Sequence, residues 1–169
     1  MKYRKKTGGF SLVEIIVAVA IIAILSGLVV PQVRKQIAKS KDARAMSTLN
    51  AFRVAVQMYQ IENDDALIDK NNLNSYDAAA TKTALEKLLP YLDSKAEEVV
   101  KANGEIGIGA SQESNTQSAN SGKIIYGGKV RMTFVNPDDP TKSDGYYLWL
   151  EAGANTGDLD TKGQKWTTY

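Results

Sequence analysis

The stretch FSLVEIIVAVAIIAILSGLVV, residues 10–30, decides the fold because it is an apolar run interrupted by a single charge, Glu14. As an α-helix these residues would span roughly 30 Å, about the thickness of the hydrocarbon core of a bilayer. A carboxylate inside such a segment costs several kcal/mol unless it is paired. The sequence therefore predicts a membrane-spanning helix whose Glu14 requires a positively charged partner.

A short basic leader, residues 1–9, precedes this run and ends in Gly8-Gly9. A plain membrane anchor and a secretory signal peptide are two interpretations of the pattern. A signal peptide places small residues after its apolar stretch, whereas Val29, Val30 and Pro31 stand there in this chain. For Glu14, the alternative to pairing with a positive charge is that its side chain extends to the lipid headgroups at the membrane surface, since it lies about one turn into the helix.

The junction GGFSLVEII, residues 8–16, resembles the N-terminus of type IV pilins and type II secretion pseudopilins, a resemblance that covers about the first 60 residues. It implies that a prepilin peptidase cleaves between Gly9 and Phe10, that Phe10 is N-methylated, and that Glu14 offsets the Phe10 ammonium of a neighbouring subunit. It also implies that the leader lies in the cytoplasm and the rest of the chain outside. In a low dielectric an amine–carboxylate pair is attractive enough to select one axial register.

Residues 31–65 are predicted to continue the helix in amphipathic form. Pro31 lacks an amide proton and is expected to kink the helix at that level. Beyond it, apolar residues recur at three- and four-residue steps and form one face of a helix: Met46, Leu49, Phe52, Val56 and Tyr59. Arg53 lies off that face. The helix is expected to end around residues 62–65.

Residues 66–169 are predicted to form a globular head. Its first part, residues 66–103, has helical patterns, with Asp77 as a cap, Pro90 as a stop and a shorter helix over 94–101. Residues 109–122 are rich in Ser, Asn, Gln and Gly and are predicted to be an exposed loop. Strands are predicted over 123–126 and 129–135, joined by a Gly127-Gly128 turn, then over 146–151, with an edge segment over 166–169. The fold class is α+β: a long N-terminal helix packed on a small antiparallel sheet.

A loop near the end of the sequence is a candidate metal site. Asn155, Asp158 and Asp160 place oxygen-bearing side chains close together in sequence, the ligand chemistry that calcium requires. The layout resembles the C-terminal calcium loop of major pseudopilins, where Trp166 would be the following aromatic residue. The alternative is an ordinary turn in which these side chains bond to the backbone.

A basic cluster follows the apolar run: Arg34, Lys35, Lys39, Lys41 and Arg44. Such a cluster can meet the phosphates of lipid headgroups or of DNA. The absence of interleaved aromatic residues and the presence of Asp42 disfavour nucleic acid as a partner. In a filament we expect the cluster to pair with acidic residues of adjacent subunits.

The chain has no cysteine and no histidine, which removes disulfides, thiol chemistry, the usual catalytic triads and the commonest zinc ligand. We therefore expect that the protein is not an enzyme.

The leading hypothesis is a structural subunit of a type IV pilus-like filament for adhesion or motility. The filament would be a homopolymer, built after processing by the prepilin peptidase and extrusion by a membrane assembly platform. The alternative is the major pseudopilin of a type II secretion or DNA-uptake system. A membrane-anchored binding module that never polymerises is a third possibility. The expected location is the cytoplasmic membrane for the single-pass precursor, and then a surface pilus or an envelope pseudopilus.

Overall fold

A computed structural model describes residues 9–69, 73, 76–115, 117 and 121–169 of the chain. The basic residues of the leader lie outside these described residues, as do parts of the predicted 109–122 loop. The chain divides into two compact units, Met1–Gln36 and Ile37–Tyr169. The boundaries predicted at residues 30 and 65 stay predictions.

The apolar run folds as the first part of helix α1, Leu12–Asn63. This helix is long and apolar enough to cross a membrane, with a mean hydropathy of 2.9 over its most apolar 18 residues and none of that window buried. Pro31 lies inside the helix, and helical assignment continues through it. The expected kink at Pro31 stays a prediction.

The later part of α1 packs into the core of the second unit, as its periodicity predicted. Leu49, Phe52 and Val56 are almost fully buried, and Met46 and Tyr59 are partly buried against the same core. Each step of three or four residues returns a side chain to the same side of the helix. The helix ends at Asn63, within the predicted range.

Two short helices follow, and they occupy less of the chain than the sequence suggested. Helix α2 is Ala78–Glu86, and Asp77 caps it by accepting hydrogen bonds from the Ala79 and Ala80 amides, which confirms the predicted cap. The helix ends before Pro90, which lies in a 3-10 turn, Leu89–Tyr91. Helix α3 is Ala96–Lys101, and Gly104 follows it with a left-handed φ of +80°.

The strands are β1, Glu105–Gly107; β2, Ala110–Ser111; β3, Ile125–Tyr126; β4, Lys129–Thr133; and β5, Trp149–Ala152. They form a three-stranded antiparallel sheet in the order β1-β4-β5 and a two-stranded pair, β2-β3. On β4, Val130 and Met132 are completely buried, as the alternation predicted. The predicted fold class, α+β with a long N-terminal helix, is confirmed.

The predicted hairpin turn at Gly127-Gly128 is wrong. Residues 105–111 run antiparallel to residues 125–131, so β3 and β4 are successive parts of one arm rather than partners. The glycine pair lies within that arm, where the Gly127 amide donates to Gly109 O and the Ile108 amide donates to Gly128 O. Both glycines have positive φ, and a Cβ on Gly128 would lie 2.7 Å from Thr156 Oγ1. Because glycine tolerates positive φ and has no Cβ, the pair permits an irregularity in the hydrogen-bond ladder and lets Thr156 lie close to Gly128.

Two further predictions need correction. The start of the predicted exposed loop 109–122 is instead buried, because Ala110 and Ser111 form β2 with no exposed surface. The predicted edge segment 166–169 is a 3-10 turn, Trp166–Thr168, with Trp166 fully buried. Both segments are buried by residues that are distant in sequence. Local composition carries no information about such contacts.

Candidate functional site

The first candidate site is the start of α1, where the side chains of Ser11 and Glu14 both accept hydrogen bonds from backbone amides and together cap the helix. The Ser11 amide donates to Glu14 Oε2 at 2.9 Å, and the Val13 amide donates to Ser11 Oγ at 3.2 Å. A serine followed three residues later by a glutamate is the pattern of a capping box, a local signal for the start of the helix that the sequence carries. Glu14 Oε2 is occupied by this bond, while a carboxylate has a second oxygen that can accept from another donor.

The predicted cleavage position lies immediately before this cap. Gly9 and Phe10 precede the first helical residue, Leu12, and both are exposed, with Phe10 at 86%. A Cβ placed on Gly9 would meet no atom within 4 Å among the described residues. Exposed, non-helical backbone is the form in which a peptide bond is available to a peptidase. Cleavage, methylation of Phe10 and the role of Glu14 in assembly stay predictions.

The second candidate site is the C-terminal loop, which is organised around Asp160. This carboxylate is 1% exposed and accepts three hydrogen bonds: from the Lys162 amide at 2.7 Å, the Gln164 amide at 2.9 Å and the Tyr169 hydroxyl at 2.6 Å. Burial, followed by the hydrogen bond to Asp160, raises the pKa of the Tyr169 hydroxyl. Asp160 therefore ties the loop to the last residue of the sequence.

Asp158 is held by a different partner. Its Oδ1 accepts from the Ser114 amide at 2.8 Å, and its Oδ2 accepts from the Ser114 hydroxyl. Burial acts to raise the pKa of this carboxyl, but the hydrogen bonds from Ser114 outweigh it and hold that pKa below its ordinary value. The exposed Asn155 has a left-handed φ of +58°, a conformation that asparagine tolerates in turns.

These contacts decide how well the loop would hold calcium. Calcium takes six to eight oxygen ligands from carboxylates, carbonyls and water. Both oxygens of Asp158 and both oxygens of Asp160 already accept hydrogen bonds from protein donors. Within the described ranges, no group of three acidic residues lies close enough together to hold a metal ion. The loop in this arrangement does not fit a calcium site, and whether calcium binds the protein remains a prediction to test.

Arg53 is a structural residue that the sequence analysis missed, because it was placed off the buried face of α1. Its Nε and Nη2 donate to Leu148 O at 3.0 and 2.7 Å, and Nη2 also donates to Tyr169 O at 2.6 Å. The guanidinium lies 4.3 Å from the ring centroid of Tyr147. Burial lowers the pKa of Arg53, opposed by Tyr147. Arg53 thus links the long helix to Leu148, the residue before β5, and to Tyr169 at the C-terminal turn.

Comparison with known proteins identifies the N-terminal segment. Residues 4–30 match the family model described as the prokaryotic N-terminal methylation motif. The chain is 40% identical over 60 residues to the type II secretion system core protein G of Pseudomonas aeruginosa, covering 36% of this chain and 42% of that protein. It is 36% identical over 58 residues to the type IV major fimbrial protein FimA of Dichelobacter nodosus, covering 34% and 37%.

A longer match is to the type II secretion system core protein G of Escherichia coli, 33% identical over 81 residues and covering 48% of this chain and 56% of that protein. The chain thus spans less than two thirds of the length of each of these relatives. No solved structure matches the chain.

Proposed function

We propose that this chain, which at its N-terminal segment belongs to the type IV pilin and type II secretion pseudopilin family, is a structural subunit of a pilus-like filament. Its polymerisation would be driven by α1, after the leader is removed between Gly9 and Phe10. The observation that carries the proposal is a single carboxylate, Glu14, in an exposed apolar helix long enough to span a bilayer.

The physical argument is one of burial. The large side chains of the apolar run are exposed, with Leu12, Ile16 and Leu28 at 74, 59 and 66%. Such a continuous surface requires either lipid or other apolar helices around it. Glu14 would cost several kcal/mol in either setting, and the free amine of a processed Phe10 is the partner that would offset it. That pairing defines one position of a subunit against its neighbour.

The proposed pathway has two stages. The precursor would lie in the cytoplasmic membrane with one spanning helix, and a prepilin peptidase would remove the leader. An assembly platform would then move the subunit from the bilayer into a homopolymer. The role is structural rather than catalytic, and neither a cofactor nor nucleic acid is needed for it.

The second candidate function is the major pseudopilin of a type II secretion or DNA-uptake system. It is supported by the matches to core protein G, at 40% identity over 60 residues and 33% identity over 81 residues. A long surface filament composed mainly of this chain would support the pilus, whereas a short envelope filament tied to secretion would support the pseudopilus.

The test is to express the full chain with a prepilin peptidase and assembly platform, and to determine the mature N-terminus by mass spectrometry. We expect methylated Phe10 as the first residue and filaments that can be sheared from cells. Glu14→Val should insert into the membrane but yield few filaments, while the matched change Glu86→Val, at an exposed position of α2, should assemble normally. A native protein that still begins at Met1, with no polymer containing it, would refute the proposal.

A further inference from the structure

The basic segment of α1, defined as Arg34, Lys35, Lys39, Lys41 and Arg44, has no assigned partner. Lys39 is half-buried and the other four side chains are exposed. None of the five forms an ion pair with an acidic residue in the described part of the chain. Their positive charge is therefore available to an external anion.

Asp42 lies within this segment in the sequence, but its side chain is not among the exposed charges. Asp42 is 4% exposed, and its Oδ1 accepts from the Gly109 amide at 2.8 Å and from the Ala110 amide at 3.4 Å. Its carboxylate is thus directed into the protein, against β2. Since Asp42 is the only acidic residue in the sequence between Glu14 and Glu62, the exposed charges of this part of the helix are all positive.

We propose that the basic segment binds the anionic phospholipid headgroups of the bilayer that holds the apolar run. This inference rests on the proposed membrane-anchored precursor. Arg34 and Lys35 follow Val30 by four and five residues, which in a helix is about 6–8 Å and corresponds to the depth of the headgroup layer. Cationic side chains beside a membrane helix are attracted to anionic lipid headgroups within about a Debye length of the membrane surface.

The anchor is the reason to choose lipid over nucleic acid. The apolar run holds Arg34 and Lys35 within about one Debye length of the membrane surface, whereas DNA would have to be recruited from solution. The segment also lacks aromatic residues between its charges, which single-stranded nucleic acid would use for stacking. Leaving the bilayer for a filament would then require the release of these headgroup contacts.

The test uses the full chain in nanodiscs made either of phosphatidylcholine alone or with phosphatidylglycerol added. Because the chain has no cysteine, Ser40→Cys introduces a unique site for a spin label between Lys39 and Lys41, at an exposed position. The readout is the accessibility of the label to a water-soluble relaxation reagent. We expect phosphatidylglycerol to lower that accessibility roughly twofold at low salt and less at high salt.

The effect should disappear in the triple variant R34Q/K35Q/K39Q, which removes the three charges of the segment that lie nearest the apolar run. It should persist in K82Q/K87Q/K95Q, which removes the same number of charges from the α2–α3 region. Equal accessibility in both disc types, with the chain inserted, would overturn the inference while leaving the proposed function intact. Failure of the chain to insert at all would instead count against the membrane-anchored precursor. A third outcome is that the chain in phosphatidylcholine discs binds duplex DNA, that the first triple variant loses this binding, and that phosphatidylglycerol does not change the accessibility of the label. That outcome would assign the segment to nucleic acid and would also overturn the inference.

Discussion

The Ser11 amide donates a hydrogen bond to Glu14 Oε2 at 2.9 Å, so the carboxylate proposed to select the position of a neighbouring subunit also caps its own helix. The two roles differ in what they require. Capping needs only an acceptor oxygen, which glutamine also provides. Pairing with an ammonium needs the negative charge. A glutamine at this position therefore separates them.

We expect Glu14→Gln to insert into the membrane normally and to reduce filament recovery about tenfold or more, since a hydrogen bond to a charged group contributes roughly 1.5–3 kcal/mol. Ser11→Ala removes part of the cap while keeping the charge, and should assemble much closer to normally. Filaments sheared from cells are quantified by immunoblot, with Glu86→Gln as the control. Normal assembly of Glu14→Gln would show that the acceptor, and not the charge, matters.

A second prediction concerns Gly109, the residue before β2, which lies very close to the long helix. A Cβ on Gly109 would lie 2.1 Å from Ala38 O, a distance that requires the backbone to move. We expect Gly109→Ala to destabilise the head by about 3 kcal/mol, because overpacking against backbone is not relieved by side-chain rotation. The measurement is thermal unfolding of the full chain in detergent, followed by the fluorescence of Trp149 and Trp166.

The matched control is Gly107→Ala, two residues earlier. Gly107 lies in β1, is exposed, and has no described atom within 4 Å of an added Cβ. It should melt within a few degrees of the unmodified chain. Similar losses at both positions would mean that strand conformation, rather than the contact with Ala38, limits Gly109.

Asp42 provides a third prediction. Its Oδ1 accepts from two backbone amides, while its Oδ2 is buried without a hydrogen-bond partner among the described residues. Asp42→Ala should cost about 1–3 kcal/mol because it leaves the Gly109 and Ala110 amides unsatisfied. Asp42→Asn retains an acceptor for them and should be milder in the same melting experiment. A larger loss for asparagine than for alanine would contradict this account.

Local patterns predicted the helical part of this fold well. The spacing of Leu49, Phe52 and Val56 identified the buried face of α1, and Asp77 identified the start of α2. Both signals lie within a few residues of what they determine. The capping pattern of Ser11 and Glu14 was equally local and was available in the sequence.

Contacts between distant residues were not predictable in the same way. Gly127-Gly128 has the composition of a hairpin turn, but the partner of β3 is β2, and the connection between them begins after Ser111. Arg53 lies beside the apolar face in a helical projection, yet it bonds to Leu148 and Tyr169, about a hundred residues further along. The oxygens of Asp158 and Asp160 suggested a cation because their protein donors, such as Ser114 and Tyr169, are not apparent from local spacing.

The calcium prediction can now be tested against these contacts. Since Asp158 and Asp160 accept hydrogen bonds from protein donors at both of their oxygens, we expect calcium and a chelator to give melting temperatures that agree within about 2 °C. The full chain in detergent is melted in each condition, with magnesium as the control. A rise of several degrees with calcium alone, lost in Asp158→Asn, would establish a site that requires these side chains to rearrange.

The final prediction concerns the bond between Tyr169 and Asp160. Removing the hydroxyl by Tyr169→Phe should cost roughly 1–3 kcal/mol at neutral pH, since it leaves Asp160 Oδ2 without this donor. The pKa of Tyr169 is raised in the folded protein, so the neutral hydroxyl is favoured by folding. Its contribution is therefore complete below the ordinary tyrosine pKa of about 10 and is lost as the pH rises above it.

Melting the full chain between neutral pH and about pH 11 checks the sign of this effect. The unmodified protein should lose stability more steeply above pH 10 than Tyr169→Phe, so that the two curves converge. Tyr126→Phe is the control, because Tyr126 is 51% exposed and its hydroxyl forms no hydrogen bond within the described residues. Parallel curves for the unmodified protein and Tyr169→Phe would mean that the alkaline loss arises elsewhere, and that the Asp160 bond does not stabilise the C-terminal turn in the way its geometry indicates.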